Sequence, residues 1–259
     1  MDAKTYPLQD ILKPERRYII PTFQRDYEWT LDGQWKLLFE DLETTAERLL
    51  EVRSVGGAFA GPRNKEQSIT PHFLGAIVCA SLPFDTGGVA LRSVIDGQQR
   101  LTTIQLLARG LLDVLQETQS DRRKSVRRML FNPDDVVASP EEVHKLWPRR
   151  RDREVWPTAM ADPIPTYSGD ADHLYLKARR FFAEAVRESA RNEIGELDPV
   201  RLQALADALS SLFKLVVIDL EENDDAQVIF EVLNGRQTPL AAIDLVKNLL
   251  FLRGELADE

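Results

Sequence analysis

The chain has 259 residues, 43% of them hydrophobic, which is ordinary for a globular protein and enough to bury a sizeable core. Its formal net charge of −9 argues against broad, non-specific coating of nucleic acid. No apolar run is as long as a membrane helix, no signal-peptide pattern is visible, and the single cysteine, Cys79, cannot form an internal disulfide. We therefore expect a cytoplasmic protein with no membrane partner and, from three scattered histidines and one cysteine, no zinc site.

The first half of the chain predicts alternating strands and helices. A strand is predicted over 17–23, entering a turn at Pro21. Thr30 is a candidate cap for a helix over 31–52 with one apolar face. The residues of that face are Trp35, Leu38, Leu42 and Leu49. After a loop rich in Gly, Pro, Asn and Ser, two apolar runs predict a hairpin of strands, and a helix follows. The loop spans 54–71, the strands 73–80 and 89–95, and the helix 99–116.

The second half changes in composition before helices return. Residues 121–170 carry clustered arginines, two tryptophans and several prolines. The later predicted elements are helices over 171–193 and 199–212, a strand over 213–220, and helices over 224–233 and 240–252. A small mixed sheet with inserted and appended helices predicts an α+β (mixed α/β) fold. We expect one composite domain of three segments: an α/β core (1–120), a basic and aromatic insertion (121–170), and a helical part with one returning strand (171–259).

Charge is distributed unevenly along the chain. Between residues 121 and 153, ten Lys and Arg face six Asp and Glu, a local net charge of +4, whereas residues 219–259 carry a net −7. A basic patch on an acidic protein suggests a confined contact with an anion such as DNA; the alternative is a solvated surface. The candidate DNA contacts in this region are Arg122, Arg123, Arg127, Arg149, Arg150 and Arg151.

The most informative segment joins the strand at 89–95 to the helix at 99–116. At such a turn the first backbone N–H groups of the helix point outward, and the helix dipole favours an anion there. Arg100 adds a planar, permanent cation suited to phosphate. Asp96 and Gln99 also have the spacing of a capping box, so a well-capped helix with no ligand is the alternative. Neither a Walker A pattern nor G-x-G-x-x-G occurs in the chain.

A second polar segment follows the first predicted strand. Gln24 and Arg25 could bond a nucleotide base or its phosphates, and Tyr27 or Trp29 could stack on a base. The alternative is a surface ion pair between Arg25 and Asp26, with both aromatic rings in the core.

A third polar segment lies near the end of the sequence. Asp244 and Asn248 are four residues apart and so share a helix face, and Lys247 lies between them. These side chains could contact a metal-bound phosphate or the polar edge of a nucleotide. The alternative is a helix-turn-helix in which Gly235 closes one helix and Pro239 opens the next.

Together these segments resemble the N-terminal domain of GmrSD-type, modification-dependent restriction proteins, a domain related to the ParB/sulfiredoxin-like fold. The resemblance spans nearly the whole chain, in the family's order. It is carried by Pro21, Gln24, Arg25, Tyr27 and Trp29, by residues 73–78, by Asp-Gly-Gln-Gln-Arg-Leu-Thr-Thr at 96–103, and by Phe230, Leu233, Asn234, Pro239, Leu240, Asp244, Leu245 and Asn248. The chain is also similar to SspE-like restriction factors, which respond to phosphorothioate-modified DNA.

The resemblance implies a domain that binds and hydrolyses a nucleoside triphosphate, with GTP favoured and Mg²⁺ as cofactor. It implies catalytic roles at Asp96, Gln98, Gln99 and Arg100, where Asp96 is also the candidate Mg²⁺ ligand. Gln98 or Gln99 could orient the attacking water, because phosphoryl transfer depends mainly on positioning and charge stabilisation. The expected nucleotide-binding residues are Gln24, Arg25, Gly97, Thr102, Thr103, Asn234, Asp244, Lys247 and Asn248.

The expected partners are modified double-stranded DNA, with phosphorothioate favoured, and an HNH-type nuclease domain or subunit. None of the three histidines has an HNH-like context, so we expect the N-terminal portion of a longer protein, or a subunit that works with a separate nuclease. Tyr27 and Trp29 are further candidate DNA contacts, and a homo-oligomer is compatible with the sequence. Two alternatives are a nucleotide-gated DNA-binding module without hydrolysis and an interaction scaffold for a nuclease partner.

Overall fold

The computed structural model describes residues 2–55, 69–83, 88–163, 166, 173–221 and 224. Within these ranges, six strands form one mixed sheet in the order β1-β6-β3-β4-β2-β5. The strands are β1 (Asp2–Pro7), β2 (Arg16–Ile19), β3 (His72–Ser81), β4 (Ala90–Asp96), β5 (Leu146–Trp147) and β6 (Phe213–Leu220). The helices are α1 (Leu8–Ile11), α2 (Lys36–Val55), α3 (Gln98–Glu117), α4 (Arg123–Leu130), α5 (Trp156–Met160), α6 (Leu174–Ser189) and α7 (Pro199–Asp207).

The sheet combines parallel and antiparallel pairs. The predicted hairpin is present, since β3 and β4 pair antiparallel. On one side β4 pairs in parallel with β2, which pairs in parallel with β5; on the other side β3 pairs in parallel with β6, which pairs antiparallel with β1. The sheet thus takes strands from all three predicted segments, and the predicted α+β class is confirmed.

Helix α3 is central to the core. Its predicted apolar positions are all fully buried: Leu101, Ile104, Leu107, Leu111 and Leu115. Helix α6 packs closely against it, because Gly110 has no side chain and a Cβ there would lie 2.8 Å from the backbone N of Ala183. Cys79 is a buried free thiol, as its apolar surroundings in the sequence predict.

A buried ion network ties α3 to α6. Arg179 donates two hydrogen bonds to Asp113, from Nε and Nη2, each at 2.8 Å. The same carboxylate lies 2.6 Å from Nη1 of Arg109, one helical turn earlier. Both guanidinium groups are buried, and each also donates to backbone carbonyls around α5. The network therefore fixes the helix whose first turn carries the candidate site.

Several element boundaries differ from the sequence prediction. Strand β2 is shorter than the predicted 17–23, because Pro21 has no N–H to continue the ladder. Thr30 precedes a π-helical turn (Leu31–Trp35) that leads into α2, and its side chain makes no capping hydrogen bond. Strands β1 and β5 and the short helix α1 were not predicted. The predicted helix over 240–252 lies outside the described residues, as do nearly all of 224–233 and most of the loop over 54–71.

Candidate functional site

Gly97 shapes the turn between β4 and α3. Its φ is +93°, in the left-handed region, and a Cβ there would lie 2.7 Å from Cγ2 of Ile77. Gly97 is itself the cap residue of α3, and no side chain caps the helix. The capping-box interpretation of Asp96 and Gln99 is therefore wrong, since the sharp turn moves Asp96 off the cap position. The N–H groups of the first helical turn remain without a side-chain acceptor, as an anion site requires.

The two glutamines of the turn hold the segment that follows β2. Gln98 donates from Nε2 to the carbonyl O of Arg25 at 2.9 Å. Gln99 donates from Nε2 to the carbonyl O of Asp26 at 2.6 Å and accepts from the N–H of Glu28 at 3.0 Å. The structure thus brings the first and second polar segments of the sequence together. Both glutamine amides are engaged with backbone in this conformation.

Three of the predicted ligand-binding side chains are internal supports. Gln24 is buried and donates from Nε2 to the carbonyl O of Ile95 at 2.7 Å, which holds the end of β4. Thr103 is fully buried, lies 2.7 Å from the hydroxyl of Tyr27, and donates to the carbonyl O of Gln99 at 2.8 Å. Neither side chain presents surface to a ligand in this conformation, and their nucleotide contacts stay predictions.

Tyr27 is the third of these supports. Its hydroxyl accepts a hydrogen bond from Nε1 of Trp35 at 2.8 Å, and burial raises its pKa to about 12. The core alternative therefore holds for Tyr27, and its ring is not available to stack on a base. Trp29 is partly buried and packs against the same core.

Arg100 lies against the backbone of β3. Its Nη1 donates to the carbonyl O of Ala76, and its guanidinium covers Gly75, where a Cβ would lie 3.2 Å from Nη2. Gly75 has a φ of +94° and sits where the β3–β6 register shifts. Burial lowers the pKa of Arg100, and the charge of Asp96 opposes that shift. Because a guanidinium stays protonated in proteins, Arg100 is a partly desolvated, fixed cation beside the helix start.

The insertion and helix α6 together contribute three residues to the site that the sequence did not place there. Arg149, Asp152 and Tyr175 line one pocket with the two glutamines, together with Arg25 and Thr102. Arg149 was predicted as a DNA contact, but its Nη1 pairs with the exposed carboxylate of Asp26 and its Nε with the buried carboxylate of Asp152 at 2.9 Å. Its position beside a turn that lies 50 residues earlier in the chain could not be read from local sequence.

The remaining arginines of the basic region do not share one environment. Arg122 pairs with Asp207 at 2.7 Å, Arg123 donates to the carbonyl O of Ser120, and Arg127 lies over the ring of Phe131. Arg150 and Arg151 are exposed in a short 3₁₀ turn. Arg150 and Arg151 are therefore more accessible to DNA than Arg122, which is paired with Asp207.

The third polar segment of the sequence is outside the part of the chain that the structure describes. Asn234, Asp244, Lys247 and Asn248 lie outside the described residues. Within the described ranges, no group of three or more His, Cys, Asp or Glu side chains is arranged to hold a metal ion. The described helices include none of the length and apolar character needed to cross a bilayer.

Comparison with known proteins settles the family. A family model described as "GmrSD restriction endonuclease, N-terminal domain" matches residues 8–251. The chain belongs to this family. The expected resemblance is thereby confirmed, and the matched region of this GmrSD-type domain includes the turn at 96–100, the segment at 24–29 and Arg149. A comparison with curated proteins gave no match.

Proposed function

We propose that this GmrSD-type domain binds and hydrolyses a nucleoside triphosphate, with GTP favoured, and acts as the sensor of an anti-phage restriction system. The observation that supports this most is the Asp96–Arg100 turn, where the uncapped start of α3 lies beside the desolvated cation of Arg100. Membership in a restriction endonuclease family supports the wider role.

Each residue of the turn has a part that follows from its position. The N–H groups of Gln98 and Gln99 and the guanidinium of Arg100 would hold phosphate oxygens. Asp96 would supply one oxygen ligand to Mg²⁺, which commonly binds through one or two carboxylates and the phosphates of a nucleotide. When bound, Mg²⁺ would neutralise phosphate charge. For Gln98 or Gln99 to orient a water, its amide must leave the carbonyl of Arg25 or Asp26.

The DNA signal and the output belong to the same proposal. The domain would recognise modified double-stranded DNA, with phosphorothioate favoured, and control an HNH-type nuclease domain or subunit. The exposed side chains of Arg150 and Arg151 support a phosphate contact on the insertion.

A nucleotide-gated DNA-binding module without hydrolysis is the second candidate. The tethering of both glutamine amides to backbone favours it, because neither amide is available to a water in this conformation.

The test is phosphate release from all four ribonucleoside triphosphates with Mg²⁺, with and without modified DNA. DNA carrying phosphorothioate, DNA carrying modified cytosine and unmodified DNA are compared. Arg100→Ala is expected to lower the rate by about 100-fold, the scale seen when one charge-stabilising donor is removed. Arg128→Ala, at an exposed arginine of α4, is the matched control and is expected to keep the rate. Arg100→Lys, which retains the charge without the planar fork, separates lost charge from lost packing on Gly75.

The outcomes separate the two candidates. Hydrolysis that is lost in Arg100→Ala, while thermal unfolding is unchanged, supports the enzyme. Nucleotide binding with no phosphate release under any condition leaves the nucleotide-gated module. A restriction function that Arg100→Ala leaves unchanged would contradict both candidates. It would leave an interaction scaffold for a nuclease partner.

A further inference from the structure

An ion pair joins two of the segments that form the walls of the pocket at the start of α3. Arg149, which follows β5, reaches across to Asp26 in the segment after β2, and Nη1 contacts Oδ1. The side chain of Arg149 is 13% exposed, whereas that of Asp26 is 61% exposed. The arginine is thus part of the pocket wall, and its carboxylate partner approaches from the solvent side.

The other end of Arg149 is fixed. Its Nε donates to Oδ2 of Asp152 at 2.9 Å, and the same oxygen accepts from the hydroxyl of Tyr175 at 3.0 Å. Nε2 of His173 lies 3.5 Å from Oδ1. Burial alone would raise the pKa of Asp152, but hydrogen bonds from His173 and Arg149 outweigh it and lower that pKa to about 2. Asp152 therefore stays ionised and orients the guanidinium at any ordinary pH.

The closed pocket is too small for a nucleotide. Its lining includes Gln98, Gln99, Thr102, Arg25 and Arg149, yet the space between them has room for about one water molecule. A triphosphate could enter if the segment that carries Arg25 moved away. That movement would separate Asp26 from Arg149 and leave a buried, pre-oriented guanidinium at the pocket wall.

We propose that Arg149 is a phosphate-binding residue of this site, and that the carboxylate of Asp26 occupies its place when no nucleotide is bound. The inference rests on the proposed nucleotide binding. A guanidinium recognises carboxylate and phosphate oxygens by the same planar fork, so one can replace the other. A phosphate group carries more negative charge than the carboxylate of Asp26. When phosphate replaces that carboxylate, the buried guanidinium of Arg149 still has an anionic partner.

The test is the affinity for a fluorescent, non-hydrolysable GTP analogue with Mg²⁺, measured without DNA. Asp26→Asn is expected to tighten binding about three- to tenfold, because the competing carboxylate is removed. Arg149→Gln is expected to weaken binding about ten- to a hundredfold, the scale of a lost charge-assisted hydrogen bond. Arg149→Lys is expected to fall between wild type and Gln, and it keeps a positive charge beside Asp152 if the Gln variant folds poorly.

Matched controls separate the exchange from general charge effects. Asp32→Asn removes another exposed carboxylate six residues later, and Arg128→Gln removes an exposed arginine of the insertion. Both are expected to leave the affinity unchanged. The double variant of Asp26→Asn with Arg149→Gln is expected to gain nothing from the first change, because the two residues act through one contact.

A second probe, inorganic pyrophosphate, separates failure of the nucleotide function from failure of the role of Arg149. Its binding is measured as a rise in melting temperature in a thermal-shift assay. Nucleotide binding that is equal in wild type and Arg149→Gln overturns the inference and leaves the proposed function standing. Tighter nucleotide binding in both Asp26→Asn and Arg149→Gln also overturns it, since Arg149 would then only hold Asp26 in place and would not bind phosphate. Pyrophosphate stabilisation that is lost in Arg149→Gln, with no nucleotide binding, supports the phosphate site and contradicts the nucleotide function. No response to either probe overturns both.

Discussion

The buried network around Asp113 makes a strong prediction for stability. Asp113→Asn keeps the size of the side chain but removes the charge that balances Arg109 and Arg179, whose side chains are 1% and 0% exposed. Breaking a buried ion pair by removing one partner costs about 3–5 kcal/mol, because the remaining charge stays buried. We therefore expect a loss of about 3–5 kcal/mol in the free energy of unfolding. For a chain of this size, this corresponds to a fall of roughly 6–20 °C in melting temperature.

The same helix pair supplies the control. Glu117 and Arg187 join α3 to α6 one turn further on, but their side chains are 45% and 32% exposed. Exposed pairs contribute about 0–1 kcal/mol, so Glu117→Gln is expected to change stability by no more than that. Urea denaturation of both variants, with the slope of each transition compared, measures the difference. If Asp113→Asn costs as little as Glu117→Gln, the reasoning from burial is refuted.

Two further predictions concern the turn and a buried lysine. Gly97→Ala places a Cβ 2.7 Å from Ile77 at a positive φ, so we expect the free energy of unfolding to fall by about 2–4 kcal/mol. Gly195→Ala is the control, because its φ is also positive but the space around it is open, and we expect a fall of about 1–2 kcal/mol. Equal losses for the two variants in chemical denaturation would contradict the clash. Burial lowers the pKa of Lys145 from 10.5 to about 7, so between these values the unfolded state binds more protons and stability rises with pH, by at most about 1.4 kcal/mol per unit. Lys145→Met is expected to remove that rise, and unfolding free energies measured from pH 6 to 9 that run parallel in both proteins would disprove it.

The elements with regular apolar patterns were predictable from the sequence. Helix α3 and the strands β3, β4 and β6 each bury a repeating set of apolar side chains, so periodicity locates them to within a residue or two. Strand β5 has only two residues and β1 has a largely polar sequence. Both exist because a neighbouring strand offers unpaired backbone groups, and no local pattern encodes that.

The site was predictable in part. The turn at 96–100 follows from a strand running directly into an amphipathic helix, but the cap was assigned to Asp96 because side-chain preference cannot reveal the positive φ at Gly97. The acceptors of Gln98 and Gln99 lie 73 residues away in sequence, and Arg149 arrives from the insertion. Such contacts depend on the register of the whole sheet, which a local reading does not contain.

The outermost position of β1 has a consequence for handling this protein. Asp2–Pro7 covers one side of β6, a strand rich in β-branched and aliphatic residues, by antiparallel pairing along its length. Removing these few residues would leave a row of unsatisfied backbone donors and acceptors on a long apolar strand, which is a template for adding another copy. Proteolytic loss of β1 is therefore a route to aggregation.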